Sequence, residues 1–106
     1  MTLPDGLRAR YRHERLAFDH GIGHVVRATH YVLFSAGLKP LPRGGVTTCR
    51  LVTEDGAVVS EAVARCSRRD NFNKRLGRSI SLGRALDRLQ GSDGLRTAED
   101  ASERHA

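Results

Sequence analysis

The sequence predicts an α+β fold: an antiparallel β-meander of three to four strands with one C-terminal amphipathic helix packed on one face. Three observations carry this reading. An Asp55-Gly56 turn sits between two segments rich in β-branched residues. An apolar period of about 3.6 residues runs through the segment 66–90. Between residues 24 and 34 the chain is again rich in β-branched and aromatic side chains, as strands are. The 106 residues suffice for one domain with a buried core, and no linker divides them. Residues 1–91 are assigned to that domain and 92–106 to a flexible tail.

The first element, residues 7–18, reads two ways. Arg8, Arg10 and Arg12 alternate as on a strand, while Leu7, Tyr11 and Phe18 share a helical face. Asp19-His20-Gly21-Ile22-Gly23 forms a turn. The segment His24–Phe34 is expected to be a strand, although Ser35-Ala36-Gly37-Leu38-Lys39-Pro40 also has the form of a helix stop. Two prolines and two glycines make 39–45 a loop. Thr47–Thr53 and Ala57–Cys66 then form a hairpin, whose register depends on the loop length. Both cysteines, Cys49 and Cys66, fall in these strands and suit small buried positions rather than a disulfide.

Residues 66–90 read as one amphipathic helix. Asp70 is the expected N-cap and Gly91 the expected stop. Phe72, Leu76, Ile80, Gly83 and Leu86, extended by Leu82 and Leu89, form the apolar stripe. Gly83 costs roughly 1 kcal/mol against alanine, which points to close approach of the helix to a sheet. The segment from Ser92 to Ala106 is polar and lacks an apolar period.

The formal charge is +6 and the isoelectric point near 10.3, with Lys39 and Lys74 the only lysines. Guanidinium groups bind phosphate and carboxylate bidentately, so the composition suits nucleic acid or an acidic partner. GC-rich coding raises arginine too, so composition alone does not decide. Arg68, Arg69, Lys74, Arg75, Arg78, Arg84 and Arg88 cluster with only Asp70 and Asp87 among them. A merely solubilising face mixes signs more evenly, because like charges four apart repel. These seven residues are therefore the candidate binding site, aided by Arg8, Arg10 and Arg12. No aromatic residue interleaves them, so backbone contact is expected rather than base stacking by this helix.

Other chemistry finds little support. His20, His24, His30, Cys49 and Cys66 could ligate metal, but no Cys-x-x-Cys or His-Glu-x-x-His spacing joins them. Asp19-His20 and His13-Glu14 are sequence neighbours, a poor geometry for proton transfer along a strand. No nucleophile elbow, phosphate-binding loop or dinucleotide fingerprint occurs. No catalysis, metal or cofactor is expected. Neither a signal peptide nor a membrane-spanning run is recognisable, which implies an intracellular protein without membrane contact. A sheet covered on one face leaves edges on which a homodimer could form.

The stretch Glu61-Ala62-Val63-Ala64-Arg65-Cys66-Ser67-Arg68-Arg69-Asp70-Asn71-Phe72-Asn73-Lys74-Arg75-Leu76-Gly77-Arg78, continued by Leu82-Gly83-Arg84-Ala85-Leu86, resembles a family of small phage and prophage proteins. In that family a Gly-turned hairpin runs into a Cys-Ser-x-x-Asp-x-Phe junction and a Gly-Arg helix. The likeness spans hairpin and helix but not the N-terminal third. No activity is assigned to the family, so the resemblance implies a mobile-element origin and a place in the host-cell cytoplasm. It implies action by binding: to nucleic acid or, alternatively, to a host nuclease or ribonucleoprotein complex as an anti-CRISPR or other anti-defence inhibitor.

Overall fold

The structure, a computed structural model, describes residues 3–91. The proposed tail, 92–106, lies outside the described residues. The elements in chain order are β1 (Arg8–Asp19), β2 (His24–Thr29), α1 (His30–Ser35), β3 (Arg43–Val52), β4 (Val58–Asn71) and α2 (Lys74–Gly91). The four strands form one antiparallel sheet in the order β2-β1-β3-β4, and α2 packs on β3 and β4. The α+β class thus holds. The order departs from a sequential meander at one point, because the chain passes from β2 through α1 to the other side of β1.

The ambiguous first segment is a strand throughout. Its alternation separates two environments: Ala9 and Tyr11 pack toward the core, while Arg8, Arg10 and Arg12 are exposed. The core beneath α2 joins Cys49, Leu51, Ala62 and Ala85, with Leu82, Leu86 and Leu89 against it. Leu51 is completely buried, and burial of such a side chain contributes about 1.5–3 kcal/mol.

The β3–β4 turn fits its chemistry. Gly56 adopts φ +91°, and the Thr53 hydroxyl and Asp55 carboxylate bond each other while both accept from Ala57 N. These bonds hold the Asp55 carboxyl below its ordinary range. The resulting register pairs Cys49 with Ala62 and Gly45 with Cys66, so both cysteines point to the helix side.

Several expectations need correction, among them the loop over 39–45, which stops at Pro42 because β3 already begins at Arg43. The strand expected over His24–Phe34 stops at Thr29, and His30–Ser35 is a helix. The Thr29 hydroxyl caps it by accepting from Val32 N, and Gly37 at φ +74° ends it, with Leu38 N donating to Leu33 O. Local capping here outweighs β propensity.

The long helix begins at Lys74, not upstream, since β4 continues to Asn71. Asn73, rather than Asp70, is the cap: its side-chain oxygen accepts from Leu76 N at 3.0 Å. Phe72 leaves the helical stripe entirely and lies over Gly45. Gly91 is the last helical residue, not a stop beyond it.

The buried face of α2 is rotated from the expected stripe. Ser81 and Ala85 are fully buried, whereas Leu76 and Ile80 are exposed. Gly77 makes the close approach, because a β-carbon there would overlap the Thr47 side chain. Gly83 faces open space instead.

Candidate functional site

The seven basic residues expected as one site do not share one face. Arg84 and Arg88 reach sideways over β4, an edge strand of the sheet. Their guanidinium groups donate to the Val63 carbonyl at 2.8 Å and the Glu61 carbonyl at 3.3 Å. Lys74 and Arg78 lie on the other flank of α2, where their charges act on His13 and, for Arg78, on Tyr11. Arg75 is exposed on the first turn of α2. Arg68 and Arg69 are exposed near the end of β4, where Arg69 N donates to the Ser67 hydroxyl.

A second basic surface lies on the face of the sheet that α2 leaves uncovered. Side chains alternate across a strand, so the register places Arg8, Arg10 and Arg12 on one face with Arg50 of β3 and Arg65 of β4. Arg10 is the direct cross-strand partner of Arg50. Arg27 of β2 joins them from the opposite edge, paired across from Leu16.

Among the described residues, only two carboxylates answer these groups on the open face. Glu14 meets Arg12 at 3.1 Å and Arg27 at 3.5 Å, and Glu61 meets Arg50. Arg8, Arg10 and Arg65 have no ion pair among the described residues. The arginine ends of these pairs are 46–58% exposed and stay within reach of a partner. A hollow of about 310 Å³ lies between Arg10, Arg12, Arg50 and Val58.

Farther along the same face the character changes. Leu16 and Val25 line a second hollow of about 320 Å³ with Leu41, Pro42, Arg43 and Arg68. Phe18, paired with Val25 across β1 and β2, is 38% exposed beside it. The open face therefore runs from an arginine-rich half to an apolar half.

Beneath α2 the titratable groups are held quiet. His13 Nδ1 bonds the buried Thr47 hydroxyl at 2.8 Å and meets the Phe72 ring edge-on. Burial, with the charges of Lys74 and Arg78, lowers its pKa. Arg15 stacks over Phe72 and donates to the Leu41 carbonyl at 2.8 Å. Burial raises the pKa of Cys49, leaving it a protonated core thiol, and burial likewise raises that of Tyr11. Among the described residues, no group of three or more His, Cys, Asp or Glu side chains is placed to hold a metal ion. No helix among them is long and apolar enough to cross a membrane.

Arg27, Arg50 and Arg65 escaped sequence reasoning. The signal for Arg50 and Arg65 was present in the hairpin: once the turn sets the register, both fall on the face of Arg10. Arg27 required knowing that β2 pairs with β1. Comparison of the chain with known protein families, curated proteins and solved structures finds no match.

Proposed function

We propose that the protein is a small, non-enzymatic nucleic-acid-binding module that contacts the phosphate backbone through the arginines of its uncovered sheet face. The observation that supports this most is the direct pairing of Arg10 with Arg50 across β1 and β3. Like charges directly opposite destabilise an antiparallel pair. Glu61 answers Arg50, yet nothing among the described residues answers Arg10. A polyanion laid across the sheet relieves that repulsion, and the face needs no catalytic group to do so.

Arg8, Arg10 and Arg12 recur along β1 at about 6.6–6.8 Å, twice the rise of a strand residue. That repeat is comparable to the phosphate spacing of an extended nucleic-acid strand. Arg50 and Arg65 widen the track. On α2, Lys74, Arg75 and Arg78 add positive field, while Arg84 and Arg88 are occupied at the sheet edge.

The test is retardation of a labelled oligonucleotide across a salt series. Binding should weaken steeply with salt, and Arg10→Gln with Arg50→Gln should flatten the dependence by about one unit of slope for each lost phosphate contact. Arg84→Ala with Arg88→Ala should leave the slope unchanged. No retardation at low salt, or a slope indifferent to Arg10 and Arg50, overturns the proposal.

One observation favours a second reading, inhibition by docking on a host nuclease or ribonucleoprotein complex. Tyr31 and Phe34 of α1 are 76% and 75% exposed, Phe34 stacking only on His30, and exposed apolar surface of this kind marks interaction sites. Inhibition of a purified complex that is lost in Tyr31→Ser with Phe34→Ser, yet kept in the Arg10 and Arg50 variants, would select this reading instead.

A further inference from the structure

We infer that the open sheet face takes single-stranded rather than duplex nucleic acid, with an unstacked base seated in the apolar hollow formed by Leu16, Val25, Leu41 and Pro42. This rests on the backbone-binding reading above. It adds what a row of arginines alone cannot decide, namely whether bases are read as well as phosphates.

The cationic and apolar parts of the open face adjoin each other along β1. On β1 the same alternation that aligns Arg8, Arg10 and Arg12 continues through Glu14 to Leu16 and Phe18. One strand therefore carries a cationic track and an apolar floor on one face. The intervening carboxylate is neutralised: Glu14 bonds Arg12 and pairs with Arg27, so it does not repel a passing phosphate.

The hollow has the chemistry of a base site. Its floor is apolar, and its volume of about 320 Å³ lies at the small end of ligand sites, suited to one planar ring system. Arg43 and Arg68 stand at its wall. A guanidinium can donate to a base edge or stack on a ring, and both are planar groups. Phe18, 38% exposed and paired with Val25, is met edge-on by the His20 ring at 4.7 Å between centroids and offers its remaining surface to a neighbouring base. Single-strand binders combine these two parts, a basic track for the backbone and an aromatic or apolar platform for bases.

A duplex presents its phosphates outward and keeps its bases stacked inside. It can lie on the arginines but cannot enter the hollow without unpairing. The backbone geometry supports the platform. Gly44 at φ +79° lies so close to Leu16 that a β-carbon would overlap the Leu16 side chain. Gly44 thus packs on the Leu16 side chain, which lines the hollow.

Four labelled or competing probes separate the outcomes in an anisotropy titration of the full chain: a homopolymeric DNA strand, the RNA strand of equal length, the corresponding duplex, and inorganic polyphosphate as a phosphate chain without bases. The single strands should bind about tenfold or more tightly than duplex or polyphosphate. Phe18→Ala and Val25→Glu should each cost single-strand binding about tenfold, with polyphosphate binding unchanged for Phe18→Ala. Both residues are exposed, so the variants retain the core, and circular dichroism verifies this. Equal binding of all four probes with no effect of Phe18→Ala overturns the base site and leaves the arginine track standing. Absence of binding to every probe overturns the track itself. A difference between the DNA and RNA arms assigns the strand's chemistry.

Discussion

Gly77 of α2 lies directly against the side chain of Thr47 on β3, leaving no room for a β-carbon between helix and sheet. The contact explains why small residues at 77, 81 and 85 face inward while Leu76 and Ile80 face out. It also yields a paired prediction. Alanine normally improves a helix by about 1 kcal/mol over glycine. At Gly83, which faces open space, Gly83→Ala should therefore raise the unfolding free energy by up to about 1 kcal/mol. Gly77→Ala should lower it by about 1–3 kcal/mol, because Thr47 is buried and cannot yield. Urea denaturation of the two variants checks both signs.

Arg10 opposite Arg50 implies a trade between stability and binding. Arg10→Thr removes a like-charge pair and places a β-branched residue in a strand, so it should stabilise the fold by about 0.2–1 kcal/mol. The same change should weaken retention on a nucleic-acid column. A variant that loses stability and keeps affinity would show that Arg10 serves the fold alone.

Legibility in the sequence followed the range of each interaction. The β3–β4 hairpin was readable because Asp55-Gly56 turn chemistry is local. The apolar period places the start of α2 too early because Phe72 continues it backward, although its ring packs on Gly45. What distinguishes them is tertiary: Gly45 at φ +137° leaves a space that Phe72 fills. The buried face of α2 is hidden from the sequence for a related reason. Close packing selects small side chains such as Ser81 and Ala85, and a hydrophobicity period does not detect them. The arginine face was half visible in the alternation of residues 8, 10 and 12. Its completion by Arg50 and Arg65 needed the register of strands far apart in sequence.

His13 should make the fold sensitive to mild acid. Burial and the nearby Lys74 and Arg78 depress its folded pKa, so the folded state resists a proton that the unfolded chain accepts near pH 6.5. The associated stability is fully present above that pH and is lost progressively as the pH falls through the lower folded value. His13→Gln retains a polar partner for Thr47 but cannot titrate. The gap in urea midpoint between pH 7.5 and pH 5 should thus be smaller in His13→Gln than in the parent (pH values spanning about one to two units around the ordinary histidine range). An unchanged gap would assign the acid sensitivity to other groups.

The guanidinium groups of Arg84 and Arg88 guard the outer edge of β4. Each donates to a strand carbonyl, Val63 at 2.8 Å and Glu61 at 3.3 Å, on a strand that ends the sheet. Unprotected edges present unpaired backbone groups on which a second chain can pair. Arg84→Ala with Arg88→Ala should therefore promote concentration-dependent self-association, measurable by sedimentation velocity. Affinity for nucleic acid should change little, because neither group lies on the open face. Lys substitutions at the two positions discriminate charge from geometry. If general repulsion between cationic molecules keeps the edge apart, lysine restores the monomer. If directed donation to Val63 and Glu61 is what closes the edge, lysine restores it only in part, because a compact ammonium on a flexible stem lacks the rigid planar fork of a guanidinium.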